Sequence, residues 1–308
     1  MSKIAVTGGS GFIGSHVVDK LVAGGHEVLV LDHRVRPHRD DVAFADVDIV
    51  DFSSVLNATK GCDYIFHLAA VSNVNYAFQQ PVYTVELNVL GTANVLEAAR
   101  HNGIKRTFLA STVWVYSGCR DNNVHEDSPF YMPGAGHIYT SSKIASEFLC
   151  QDYWRLYEQP FTILRYGIPY GPRMREGLVI HTFIQKALKG ESITIMGDGS
   201  QYRNFVYVED LADAQVLALS EVAKNQIYNL EGPRRISIRE VAETVQRLIG
   251  DVKIEYLPAR PGDYVGKEVS AEKAQRELGW EPKVEFEEGM RRMLAWYKAE
   301  NRFRQLRS

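Results

Sequence analysis

Lys3-Ile-Ala-Val-Thr-Gly-Gly-Ser-Gly-Phe-Ile-Gly14 is an apolar, β-branched run that breaks into glycines at positions 8, 9, 11 and 14. Ile13, Val17, Val18 and Leu21 then recur at helical spacing, and Glu27-Val-Leu-Val-Leu-Asp32 is a second short strand pattern. Strand, glycine turn, helix and strand form a βαβ unit, whose crossover sets its two strands parallel. Gly8, Gly11 and Gly14 permit a tight turn and a close backbone approach, while Phe12 and Ile13 lead into a helix whose free N–H groups favour a pyrophosphate. Asp32 closes the second strand, where a carboxylate can accept hydrogen bonds from adenosine ribose hydroxyls and repel a 2′-phosphate. NAD is therefore the expected cofactor. Arg34 and Arg36 could instead recruit NADP, but they lie in a loop of mixed charge, residues 34–41.

Working outward, strand-like runs begin at Tyr64, Arg106 and Phe161 and alternate with helical stretches near 81–102 and 139–158. Such alternation predicts an α/β protein: a Rossmann-like, doubly wound parallel sheet with helices on both faces. After Tyr166 the chain is punctuated by Pro169, Pro172, Gly177, Gly190, Gly197 and Gly199, which reads as loop-rich. The expected division is a Rossmann domain over 1–165 with a return near 205–230, and a smaller α/β substrate-binding lobe over 166–204 and 231–308.

The 308 residues are 45% hydrophobic and 24% charged, with formal charge -3 and a pI near 6.3. That balance offers no basic field for nucleic acid or an acidic membrane. Cys62, Cys119 and Cys150 are odd in number and form no CxxC pair, and the histidines are scattered, so neither a disulfide framework nor a metal site is expected. No signal peptide is expected from the amino-terminal pattern, no apolar run is long enough to span a bilayer, and the unpaired cysteines fit an expected cytoplasmic setting.

Tyr139-Thr-Ser-Ser-Lys143 places a phenol and an ammonium four residues apart on one helix face. A nearby ammonium stabilises a phenolate, so the pair can move a hydroxyl proton. With the glycine loop, this pair makes the chain resemble the extended short-chain dehydrogenase/reductase family, in its nucleotide-sugar epimerase and dehydratase branch. Further family landmarks are Asp48-Ile49, His67-Leu-Ala-Ala70, Asn88-Val-Leu-Gly-Thr92, Ser111-Thr-Val-Trp-Val-Tyr116, Tyr170-Gly-Pro-Arg173, the stretch from Gly197 to Asp210, Arg260-Pro-Gly-Asp263 and Leu278-Gly-Trp280.

The resemblance implies that Thr112 orients a sugar 4-hydroxyl, that Tyr139 removes its proton, and that Lys143 binds the nicotinamide ribose and tunes the tyrosine. It places Asp48, Ile49, Leu68, Ala69, Ala70, Asn88 and Tyr166 at the cofactor as well. Arg203 and Arg260 fall where relatives grip the substrate diphosphate, and Ile168 stands where an asparagine commonly contacts substrate. A homodimer built from paired helices is also implied, through Leu87, Leu90, Val95, Ile144, Phe148 and Leu149.

Departures narrow the chemistry. Dehydratases resembling this family carry Asp-Glu after the threonine, whereas Val113 and Trp114 cannot transfer protons, and the glutamate expected of a uronic-acid decarboxylase is missing. The expectation is a nucleotide-sugar 4-epimerase. The alternatives are a nonstandard dehydratase, an NAD(P)-dependent keto-sugar reductase and a noncatalytic NAD-binding scaffold. Ile168, and Ala77 in place of a substrate-binding serine, indicate an unusual sugar pocket. Cys119, Glu126 and His137 lie in a polar loop from 118 to 137, where Glu126 and His137 read most simply as solvated.

Overall fold

Ile4, Ala5, Val6 and Thr7 are completely buried, as a strand covered on both faces must be. The computed structural model that places them describes residues 1–131, 134–250, 252–258 and 267–307, with 301–307 described by backbone alone. In chain order the first elements are β1 (Lys3–Thr7), α1 (Phe12–Ala23), β2 (Glu27–Asp32), β3 (Ala43–Asp46), α2 (Phe52–Ala58), β4 (Tyr64–His67), α3 (Val74–Gln79) and α4 (Pro81–Val85). After α4, a π-helical turn over Glu86–Leu90 runs into α5 (Gly91–Asn102), followed by β5 (Arg106–Thr112), a 3-10 turn over Val113–Tyr116, β6 (Asn123–Val124), α6 (Ile138–Tyr157) and β7 (Phe161–Tyr166).

The second half contributes β8 (Ile168–Tyr170), α7 (Val179–Leu188), β9 (Ile193–Met196), β10 (Tyr202–Arg203), β11 (Phe205–Tyr207) and α8 (Val208–Leu217). It continues with β12 (Gln226–Leu230), β13 (Ile236–Ser237), α9 (Ile238–Ile249), β14 (Ile254–Leu257), β15 (Glu268–Val269), α10 (Glu272–Leu278) and α11 (Phe286–Arg307).

Seven strands form one sheet in the order β12-β7-β5-β4-β1-β2-β3, and every neighbouring pair is parallel. The expected doubly wound Rossmann-like sheet is the observed one. Strand order reverses between β1 and β4, and at such a switch point the carboxyl ends of the strands open a crevice. Ala5, Leu31, Val47, Val55, Ile65 and Val95 form part of the core that packs helices onto this sheet. The helix expected near 81–102 is present but carries the π turn, an irregularity that often marks function.

The chain divides into two compact units. The first comprises Met1–Tyr166, Ala212–Leu230 and Lys267–Trp280; the second comprises the described residues within Gly167–Leu211, Glu231–Gly266 and Glu281–Ser308. This differs from the sequence expectation in two places. Residues 205–211 stay with the second unit because β11 pairs with β8, and 267–280 joins the first because β15 pairs with β6 and Asn229 Nδ2 donates to Ser270 O. Neither pairing has a local sequence signal, because both partners are two- or three-residue strands.

In the second unit β9 pairs with β14 and β10 with β13. The region after Tyr166 is less loop-like than its glycines and prolines suggest, since Ile180, Phe183, Ile184 and Ala187 form the buried face of α7. Among the described residues, no helix is long and apolar enough to cross a membrane.

Candidate active site

Gly8 takes a φ of +70°, a left-handed backbone that side chains disfavour. A Cβ on Gly14 would lie 2.1 Å from Gly8 O, so the first turn of α1 sits directly on the loop backbone. Gly8 N donates to Leu31 O at 2.9 Å, and Gly11 N donates to Gly8 O at 3.1 Å. Phe12 and Ile13 begin α1. At the end of β2, Asp32 accepts from Ser10 N at 3.0 Å and His33 N at 2.9 Å, which ties the carboxylate to the glycine loop. Burial nevertheless holds its carboxyl above the usual range. This bare backbone cradle with a carboxylate at its side fits the pyrophosphate and ribose of a dinucleotide. Arg36 lies over the Phe44 ring at 5.3 Å, and Arg34 is exposed.

The loop after β4 is fixed from below. Ala69 N donates to Thr7 Oγ1 at 3.3 Å, Thr7 Oγ1 meets His67 Nδ1 at 2.8 Å, and His67 Nε2 meets Thr92 Oγ1 at 3.0 Å. Thr92 Oγ1 donates to Asn88 O at 2.6 Å, so one assignment satisfies the chain: His67 donates through Nε2 and accepts through Nδ1. Burial pushes the His67 imidazole down to about 3 and keeps it neutral. Leu68 N donates to Thr7 O, which holds Leu68, Ala69 and Ala70 beside the glycine loop.

Asn88, expected at the cofactor, is 1% exposed. Its Oδ1 accepts from Val71 N at 2.7 Å, and its Nδ2 donates to Val71 O at 3.0 Å and Ser142 Oγ at 2.9 Å. The side chain thus pins the loop after β4 to α6. Asp48 Oδ1 accepts from Val50 N, and Ile49 is buried against Gly91.

Three neighbouring elements carry the candidate chemical groups. Thr112 ends β5 in register with Tyr166 at the end of β7. Thr112 Oγ1 accepts from Trp114 N at 3.2 Å and caps the 3-10 turn. Lys143, on α6, is 4% exposed and donates from Nζ to Ala110 O at 2.9 Å, so the helix is tethered to β5 two residues before Thr112. Burial brings its ammonium down to about 8, against the pull of the Glu147 carboxylate one turn on. Tyr139 lies one turn before Lys143 on the same face and is close enough to Tyr166 for the two phenols to interact electrostatically. Tyr166 is buried, accepts from Gln215 Nε2, and has its phenol pushed up by burial.

Ser111, the hydroxyl residue just before Thr112, turns toward α6: its Oγ donates to Glu147 Oε1 at 2.5 Å. Glu126 and His137 also differ from their simplest reading. Glu126 is buried, with Oε1 accepting from Asn229 N at 2.8 Å, and Cys119 Sγ donates to Pro129 O. His137 is no solvated residue but the N-cap of α6. Its Nδ1 accepts from Thr140 N, its ring lies 5.2 Å from Trp114 and 6.1 Å from Tyr139, and burial pushes its imidazole down. A capping role was legible only from its place before the helix, where serine, threonine, aspartate or asparagine is usual.

Arg203 and Ile168 belong to the second unit. Arg203 lies in β10 and donates from Nη1 to Tyr202 O at 2.6 Å; Ile168 lies in β8 opposite Phe205. Ala77 is buried in α3. Arg260 lies outside the described residues.

The groups that sequence reasoning passed over are Glu147 and Arg165, both essentially fully buried. Arg165 donates from Nη2 to Glu147 Oε2 at 2.7 Å and from Nε to Oε1 at 3.0 Å. Their spacing, one on a helix and one on a strand, carries no local sign of the pairing.

Comparison with known proteins agrees with this architecture. The profile of the NAD dependent epimerase/dehydratase family matches residues 4–230. A UDP-glucuronic acid decarboxylase 6 from Arabidopsis thaliana is 35% identical over 94% of this chain and 86% of its own. A UDP-glucuronate 4-epimerase from Thermodesulfobacterium geofontis is 32% identical over 97% of both chains. Among solved structures, the UDP-glucose 4-epimerase of Thermotoga maritima with UDP-glucose superimposes with a TM-score of 0.90 at 30% identity, covering 97% of this chain and 99% of that one. Sheet order, glycine cradle, tyrosine–lysine helix and these likenesses converge: the chain belongs to the NAD dependent epimerase/dehydratase family.

Proposed function

We propose that the protein is an NAD-dependent nucleotide-sugar 4-epimerase. The observation that carries this reading is the set Thr112, Tyr139 and Lys143 around the ends of β5 and β7, followed by Val113 and Trp114 where a second acid–base step would need carboxylates. Gly8, Gly11, Phe12, Ile13 and Gly14 would hold the pyrophosphate, Asp32 the adenosine ribose, and Lys143 the nicotinamide ribose. NAD, when bound, supplies a hydride acceptor and donor. Thr112 orients the sugar 4-hydroxyl and Tyr139 takes its proton, with the Lys143 ammonium favouring the phenolate. Oxidation leaves a ketone at C4, and once the sugar has turned over, Tyr139 returns the proton as the opposite face is reduced. Arg203 and Arg260 are proposed to grip the diphosphate, where a guanidinium fork matches phosphate oxygens.

Glu126 lends no support to a dehydratase reading, because it is buried and its Oε1 accepts from Asn229 N of β12. Incubation with UDP-, GDP- and dTDP-hexoses and -hexuronic acids in deuterated buffer, followed by NMR, tests the proposal. Inversion at C4 without net NADH is expected, and Tyr139→Phe should abolish it. Loss of a C5 or C6 proton, or release of carbon dioxide, would replace epimerisation by dehydration or decarboxylation.

We further propose a homodimer through the outer faces of α4, the π turn and α6. Val82, Leu90 and Phe148 are exposed there, and Phe78 of α3 and Leu156 of α6 add to the apolar surface. Leu87 and Leu149 are half-buried, whereas Val95 and Ile144 lie in the core and take no part in that face, a correction to the sequence expectation. A monomeric mass by sedimentation at micromolar concentration would refute the dimer.

A further inference from the structure

Glu147 has no part in the proposed reaction, yet it is the junction of the three elements that carry it. Its Oε1 accepts from Ser111 Oγ, the residue before Thr112 on β5. Arg165, the residue before Tyr166 on β7, donates to both carboxylate oxygens, at 3.0 Å from Nε and 2.7 Å from Nη2. Glu147 itself sits on α6, one turn beyond Lys143 and two beyond Tyr139. Arg165 is held in turn by the Tyr116 hydroxyl and Glu126 O, and lies over the Tyr116 and Phe130 rings at 5.0 Å each.

A buried ion pair is a poor source of stability, because desolvating both charges offsets most of their attraction, and apolar residues of equal volume commonly serve as well. What the pair supplies that apolar residues cannot is direction: fixed hydrogen bonds that set the helix against two strand ends. We propose that Glu147 is a positioning residue, whose carboxylate, through Ser111 and Arg165, fixes Tyr139 and Lys143 of α6 relative to Thr112 and Tyr166. The same carboxylate lies close enough to Lys143 to favour its ammonium.

The turnover arm of the test rests on the 4-epimerase reading, and a second arm does not. In the double variant Glu147→Met/Arg165→Met both members of the ion pair leave together, so neither is left buried without the other. The variant should melt within a few degrees of the parent and bind NADH through the untouched glycine cradle, while kcat falls roughly 100-fold at nearly constant KM. Ser111→Ala, which spares the ion pair and cuts the Glu147 bond to β5, should lower kcat roughly tenfold while lowering the melting temperature by no more than the few degrees that one lost hydrogen bond costs. It decides the matter if the double variant does not fold. For the second arm, 3-fluorotyrosine is placed at position 139 and its fluorine resonance recorded. A shifted or split resonance in the variants is expected. If the parent turns over no sugar nucleotide, the epimerase reading fails while the fluorine signal still judges Glu147. Turnover within about threefold of the parent, or a fluorine resonance that coincides with the parent's, overturns the positioning role.

Discussion

Replacing Lys143 with methionine should stabilise the protein near neutral pH while removing the proposed chemistry. Burial of this side chain lowers its ammonium from 10.5 to about 8 in the folded state. Between those values the unfolded chain binds more protons than the folded one, so stability rises with pH across the window. Below it, both states are charged and the folded protein bears the whole cost of burying the ammonium; above it, both are neutral and the cost has gone. At ~1.4 kcal/mol per pH unit, the gap amounts to about 3 kcal/mol. Methionine nearly matches the stem but leaves Ala110 O without its Nζ donor at 2.9 Å. That loss costs about 1 kcal/mol. The variant should therefore be about 2 kcal/mol more stable than the parent at pH 7 and about 1 kcal/mol less stable near pH 10.5. Urea unfolding of both proteins at the two pH values, read by tryptophan fluorescence, measures the difference. A variant less stable than the parent by the same amount at both values would refute the argument that charge burial dominates at this site.

Two further outcomes follow from the cofactor cradle. Gly14→Ala would put a methyl group 2.1 Å from Gly8 O and 2.9 Å from Gly9 Cα, so the loop or α1 must move. By calorimetry NAD affinity should fall at least roughly tenfold, whereas Gly24→Ala, whose Cβ contacts are 3.3 Å or longer, should bind as the parent does. Asp32→Ala removes the acceptor that holds Ser10 N and His33 N at the end of β2. The ratio of NAD to NADP affinity should drop by roughly tenfold or more, and an unchanged ratio would remove Asp32 from cofactor selection.

Much of the first unit was legible because its signals are local. The β-branched runs at Lys3, Glu27, Arg106 and Phe161 are strands in the structure, and the glycine spacing after β1 is the tight contact between Gly8 and Gly14. Lys143 is on the expected face of α6. Asn88 was legible as a landmark, but its bonds were not, since only folding brings Val71 and Ser142 to its amide. Glu126 and His137 read as solvated because a loop sequence does not say what will cover it.

The sheet class, the glycine cradle, the tyrosine–lysine pair and the absence of carboxylates directly after Thr112 are written in the order of residues, all matters of residue type at short spacing. Only the fold settled that β15 joins the first unit, that Ser111 faces Glu147, and that Arg165 closes a buried ion pair. The physical reason is separation along the chain: Ser111 and Glu147 stand 36 residues apart and Arg165 another 18, and hydrogen bonds over such distances are chosen by packing rather than by neighbouring residues.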